Sequence, residues 1–320
     1  MWRYVVRRLL EVVPTTFGIL LLTFVLFNVV GGSPAETILG KNATAESVAA
    51  FNHRFGYDKP LVIGGGEGSD GFFDSQFFNF VKGICRGDLG YSTELNEPVA
   101  DILARGVGPS LSLTVPILVG GTLLGLMLAM LAAACRGRTV DKAILVGSTI
   151  LMSVNYVVWV LLGQFVLSYR LELFPIWGYE NWTYLALPVL IGILSSLGLD
   201  IRFYRTAILD ELYKPYVLTA RAKGLAGAAI LVKHVLKNAL IPIVTYISLA
   251  IPYLFTGSLL LESFFGIPGL GSVSINAIHS ADMAVVRAVV VLGALLYQFV
   301  NLVTDLAYAA LDPRVRFQNG

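Results

Sequence analysis

Apolar residues come in long blocks along this chain, separated by stretches that hold most of the charge. Blocks of roughly 20 residues match the length a helix needs to cross a hydrocarbon core of about 30 Å. Six such helices are predicted: Leu9–Val30, Leu111–Ala134, Ala143–Ser168, Tyr184–Leu199, Ala239–Leu261 and Ala288–Leu311. The fourth is the shortest. The first follows basic residues, as a signal peptide would, but it is longer than a signal peptide's apolar core. Asn28-Val29-Val30-Gly31-Gly32 is also a poor cleavage site, so this block is read as a retained helix.

Composition points to the same solvent. With 56% apolar and 14% charged residues, an ordinary soluble domain is not expected, and an all-α integral membrane protein of about six transmembrane helices is. Charge adds direction, because basic residues near helix ends resist translocation. Arg3, Arg7 and Arg8 precede the first block, and Arg136, Arg138 and Lys142 follow the second. Arg202, Arg205, Lys214, Arg221, Lys223, Lys233 and Lys237 follow the fourth, and Arg314 and Arg316 lie near the end of the chain. An even number of spans then puts both termini in the cytoplasm, with the chain multi-pass in the plasma (cytoplasmic) membrane. The basic residues between Gly31 and Pro109 fall in a long external stretch, which the rule does not govern. The net charge of +2 is divided among several loops, so no nucleic-acid partner is expected.

The organisation that follows is a cytoplasmic tail and first helix over residues 1–30, an extracytoplasmic domain over 31–108, and a membrane core over 109–320 with a cytoplasmic loop at 202–238. The external domain holds the flexible run Gly64-Gly65-Gly66-Glu67-Gly68-Ser69-Asp70-Gly71. A weak helix start is read near Thr44, ahead of Ser47–Phe55. Asn42 and Asn181 begin Asn-x-Thr sequons that fall outside in this topology. Phe77, Phe78 and Phe80 suit a satellite core or a docking surface. Cys85 and Cys135 fall on opposite sides of the membrane, which excludes a disulfide between them. His53, His234 and His279 are expected in loops with no second ligand at i+4, so no metal site is predicted.

The loop at 202–238 is too long and too patterned for a connector. Tyr216-Val217-Leu218-Thr219-Ala220-Arg221-Ala222-Lys223-Gly224-Leu225 predicts a short helix that ends at a glycine able to take the left-handed conformation. A second helix, Ala228–Asn238, sets Ile230, Leu231, Val235 and Leu236 against Lys233, His234 and Lys237 at amphipathic spacing. Such an elbow is shaped to enter a groove on a cytoplasmic partner. Ala220 and Ala222 are small enough for close approach, while Arg221 and Lys223 supply charge for specificity.

Thr219-Ala220-Arg221-Ala222-Lys223-Gly224-Leu225, followed by His234-Val235-Leu236-Lys237-Asn238-Ala239-Leu240-Ile241-Pro242, resembles the coupling loop of permeases of binding-protein-dependent ABC importers, in their dipeptide, oligopeptide and nickel branch. Pro268-Gly269-Leu270-Gly271 after Glu262 and Phe264-Phe265 is similar to that family's external loop, and Asn301 to Asp312-Pro313-Arg314 to its last helix. Gly56-Tyr57-Asp58-Lys59-Pro60-Leu61 and Gly87-Asp88-Leu89-Gly90-Tyr91-Ser92 are similar to its first external domain. Leu218 stands where the wider superfamily opens the coupling motif with an acidic residue, and the glycine-rich run near Ile63–Asp74 looks inserted between two family motifs.

The resemblance implies one half of a translocation path for peptides or a similar small solute. It also implies a second homologous permease, two cytoplasmic ATPases and an extracytoplasmic substrate-binding protein. Tyr216, Thr219, Ala220, Arg221, Ala222, Lys223 and Gly224 would carry ATPase coupling. The sequence itself holds no Gly-x-x-x-x-Gly-Lys-Ser/Thr cradle, Gly40-Lys41 being followed by Asn42, so no catalysis and no cofactor are expected in this chain, and ATP and magnesium are assigned to partner subunits. Asn155, Gln164, Gln298 and Asn301 are candidates to line a polar path, with amide packing between helices the commoner outcome. Glu11 and Asp305 sit near cytoplasmic helix ends, and Pro14, Pro116, Pro188, Pro242 and Pro252 are candidate kinks. A secondary transporter would be expected to show membrane-embedded carboxylates or discontinuous helices in paired halves, and an intramembrane enzyme a His-Glu-x-x-His or Gly-x-Ser-x-Gly motif. None of these is evident in the sequence.

Overall fold

The computed structural model describes residues 2–30, 44–55, 58–62, 71, 74–92, 94–256 and 258–311. In a bilayer no water is present to bond free backbone groups, and the apolar blocks accordingly close into helices. In chain order these are α1 (Trp2–Val30), α2 (Ala45–Phe55), α3 (Gln76–Cys85), α4 (Val99–Ala134), α5 (Thr139–Ser153) and α6 (Tyr156–Gly163), the last continued by a π-helical turn over Gln164–Arg170. There follow α7 (Thr183–Leu212), α8 (Pro215–Ala222), α9 (Gly227–Ile230) with a π-helical turn over Leu231–Val235, α10 (Leu236–Thr256), α11 (Leu259–Phe265), α12 (Leu270–His279) and α13 (Met283–Leu311). Among the described residues there is no strand, only an isolated bridge between Tyr91 and Pro98.

Leu10–Asn28, Val99–Ala134, Thr183–Leu212, Gly227–Ile251 and Met283–Thr304 are each long and apolar enough to cross a membrane. Two bent pairs bring the total to as many as seven. The predicted third span, Ala143–Ser168, is one of them: it breaks at Val154–Asn155, where the helices on either side meet at 90°. Asn155 causes the restart, its Oδ1 accepting the Val157 N–H at 2.9 Å as an N-cap. The predicted fifth span, Ala239–Leu261, is displaced, because its helical run starts at Gly227 and Leu261 belongs to α11. α11 and α12 form the second bent pair, at 84°. The loop predicted at 202–238 shrinks for the same reason: α7 stays helical to Leu212, and Gly227 onward is already part of the next span. Discontinuous helices, absent from the sequence reading, are therefore a feature of the chain.

The chain divides into two compact units, residues 1–106 with 273–320, and residues 107–272. In the first, α1 packs along α13, Gln298 Nε2 donates to Thr15 Oγ1 (3.0 Å), and Phe77 from α3 is buried among Leu20, Phe24 and Val291. Phe77 thus belongs to a satellite core, its ring edge-on to Phe17 and Phe24 at centroid distances of 5.3 and 5.5 Å. Thr44 caps α2 by accepting the Ser47 N–H (3.2 Å). Arg8 pairs with Glu11 at 3.2 Å in an exposed i,i+3 contact. In the second unit α7 packs against α5 and α10. Pro14, Pro116 and Pro188 lie within continuous helices. The histidines are helical rather than in loops, and no group of metal-ligating side chains gathers among the described residues. The Asn42 sequon, Gly56-Tyr57, most of the glycine-rich run, the Asp305 and Pro252 side chains, and Asp312-Pro313-Arg314 lie outside the described residues.

Candidate functional site

Pro215 opens α8 where its missing N–H costs nothing and its fixed φ suits a helix. At the other end Gly224 takes φ +77°, its N–H donating to Arg221 O (2.9 Å) while the Leu225 N–H donates to Ala220 O (3.3 Å). That pair of bonds is a Schellman closure, which requires the left-handed residue that glycine supplies. Val217 and Ala220 on one face of α8 are buried. They join Ala129 and Ala133 of α4, Tyr204, Ala207 and Ile208 of α7, and Ile230, Val235 and Ile243 of the following run. The elbow thus shares one buried cluster with residues of three spans.

The opposite face is open. Leu218 is 63% exposed, and Thr219, Arg221, Ala222, Lys223 and Gly224 are exposed beside it. Of the seven residues predicted to couple, Ala220 is buried in the chain's own core. Tyr216 is half-buried and donates its hydroxyl to Glu211 Oε2 at 2.8 Å. Burial pushes its phenol above the ordinary range, so it remains a neutral donor at physiological pH. Arg205 on α7 grips Asp141 on α5 with two bonds of 2.8 Å, and the same carboxylate accepts the Gly137 N–H (2.9 Å). Arg202 adds bonds to Ser148 (3.2 Å) and Thr149. Sequence reading assigned both arginines to topology alone; the structure uses them as clamps.

A second polar centre lies at the α11–α12 break. The Glu262 carboxylate is fully buried. Its Oε1 accepts the Ser110 hydroxyl (2.8 Å) and the Ser258 N–H (3.0 Å), and its Oε2 accepts the N–H groups of Gly271 (2.6 Å) and Ser272 (3.1 Å). Ser110 Oγ in turn accepts the Leu270 N–H (2.7 Å). The polypeptide turns at Gly266, with φ +69° and its α-carbon against the Trp177 ring.

A family model for the inner membrane component of binding-protein-dependent transport systems matches residues 121–317, and a model for the N-terminal part of such membrane components matches residues 1–114. The chain belongs to this family. It is similar to the glutathione transport system permease protein GsiC of Shigella flexneri serotype 5b, with 32% identity over 321 residues, covering 99% of this chain and 100% of that protein. GsiC of Escherichia coli O6:H1 is 33% identical over 322 residues, and GsiC of Salmonella choleraesuis 32%, at the same coverage. The chain is therefore a membrane-spanning permease subunit of a binding-protein-dependent ABC importer.

The residues proposed to line the permease's path divide between its two units. Asn155 caps α6. Gln164 Nε2 donates to Phe264 O (2.7 Å) and Ile176 O (3.2 Å), tying the π-helical turn to α11. In the other unit Gln298 bonds Thr15, and Asn301 is half-buried on α13. Buried acids, absent from the sequence reading, are present: besides Glu262, Asp200 on α7 is 7% exposed and accepts the Tyr246 hydroxyl at 3.1 Å. The sequence places each next to a predicted span, the fourth and fifth stopping one residue short of Asp200 and Glu262, but that position alone does not separate a buried acid from a span end.

Proposed function

We propose that this permease supplies one half of a translocation path, beside a second homologous permease, and that one of two cytoplasmic ATPases docks on the open face of α8. Both termini and the elbow lie in the cytoplasm in this reading, and an extracytoplasmic binding protein delivers the solute to the other side. In this reading ATP and magnesium are held by the ATPases, in keeping with a sequence that carries no Gly-x-x-x-x-Gly-Lys-Ser/Thr cradle. The observation that carries the reading is the two-faced α8. One face is sealed into α4, α7 and α10, and the other offers Leu218, Arg221 and Lys223 to a partner, so force applied outside reaches three spans as a rigid-body motion. The relatives' names make a small peptide such as glutathione the first solute to try.

The test is gentle solubilisation of the tagged chain from native membranes, mass spectrometry of what co-purifies, and uptake of labelled glutathione and dipeptides into vesicles. Two ATPase copies per complex, a second permease, a binding protein and uptake that stops without ATP are expected. A chain recovered alone or as a homo-oligomer, with ATP-independent uptake, overturns the proposal.

A further inference from the structure

We propose that Glu262 is a positioning residue for transport: its carboxylate latches the α11–α12 hairpin into a preformed stopper that shifts as one body when solute passes. The inference rests on the importer reading above.

The hairpin is a break inside an apolar stretch, and irregular backbone at membrane depth persists only where it is buried in protein or lines a cavity. A helix start leaves N–H groups without intrahelical partners, and two such starts lie within this segment. Glu262 serves both. It accepts the Ser258 N–H at the N-cap of α11 and the Gly271 and Ser272 N–H groups in the first turn of α12, while Ser110 of α4 accepts the Leu270 N–H and donates to the same carboxylate. One side chain therefore sets the angle between the two arms and pins both to α4. A carboxylate at a helix N-terminus is further held by the dipole.

A Cβ at Gly269 would strike Glu262, and one at Gly271 would come 2.8 Å from Oε2, so the backbone has closed directly on the carboxylate. The turn is braced from outside the latch as well: the Gly178 N–H donates to Phe265 O (2.8 Å) and Gln164 donates to Phe264 O (2.7 Å). With the start of α11, the turn and the start of α12 all tied, opening at the turn would have to break these bonds. Motion must come from sliding of the whole element, a shear-type change.

The test uses the assembled importer with its binding protein, reconstituted in vesicles, carrying Glu262→Gln. The amide keeps the shape but turns one acceptor into a donor that faces an N–H. Transport per complex should fall at least about tenfold, the scale of a lost charge-assisted hydrogen bond. Hydrolysis without binding protein should rise toward the stimulated rate. Ser110→Ala, which removes one donor only, should move both readouts in the same direction by less. A purely structural role would lower the amount of assembled complex while leaving the stimulated-to-basal ratio unchanged. That outcome, or wild-type transport by Glu262→Gln, overturns the proposal. Failure of the wild-type importer to hydrolyse ATP at all would instead strike the importer reading.

Discussion

At Gly224 a single backbone angle decides how α8 ends. Nothing lies within 4 Å of a Cβ placed there, so Gly224→Ala suffers only the left-handed backbone and should cost about 1 kcal/mol, read as a modest drop in thermal midpoint in detergent. Gly224→Asn should cost less, since Asn tolerates this conformation. Gly224→Pro is different in kind, because it forbids φ +77° and deletes the N–H that bonds Arg221 O. It should insert into membranes in normal amount yet lose transport-coupled ATPase activity; normal coupling would show that the turn is not part of the transmission. The left-handed glycine ending α8 was legible because the residue type alone permits it. The role of Glu262 was not, since a carboxylate next to an apolar block reads equally well as the end of a span, and only its four hydrogen bonds reveal burial.

Among the elements, α8 has two faces with opposite expectations. Arg221→Glu, on the open face, should leave the folded chain as stable as the wild type but abolish ATPase association in pull-downs. Val217→Asp, on the sealed face, should destabilise the chain itself by about 3 kcal/mol through an unpaired buried charge, and would be seen as lost expression or a lowered unfolding temperature. The clamp between α5 and α7 gives a third test. Asp141→Asn weakens a bidentate pair whose side chains are 4% and 16% exposed, a loss of roughly 2 kcal/mol, and the exchange Asp141→Arg with Arg205→Asp should recover part of it. The blocks of apolar residues announced the long helices, and Pro268-Gly269 marked a turn beyond Phe265, whereas the break after Ser153 left no mark in them. Asn155 caps through Val157, only two residues on, and Glu262 is held in part by Ser110, far away in sequence; hydropathy averages over both.

For the whole molecule, the charge asymmetry across the spans predicts orientation, and the two cysteines report on it. Cys85 is exposed and Cys135 half-buried, so with the other cysteine replaced by serine each can be labelled separately. An impermeant maleimide should modify Cys85 on intact cells and Cys135 only after permeabilisation; the reverse order would invert the topology and move α8 away from the cytoplasm.

What the sequence determined by itself was the solvent, the approximate set of spans, the short helix ending at Gly224 and the family. Each of these rests on local composition or on contiguous motifs, and a bilayer makes helix the only way to satisfy the backbone of a long apolar block. Tertiary structure decided which face of α8 is sealed, where the third and fifth spans break, and that Arg205, Asp200 and Glu262 are packed into the protein. Those outcomes depend on hydrogen bonds and contacts between residues far apart in the chain, such as Ser110 with Glu262 and Asp141 with Arg205, whose energy is absent from any local window of sequence.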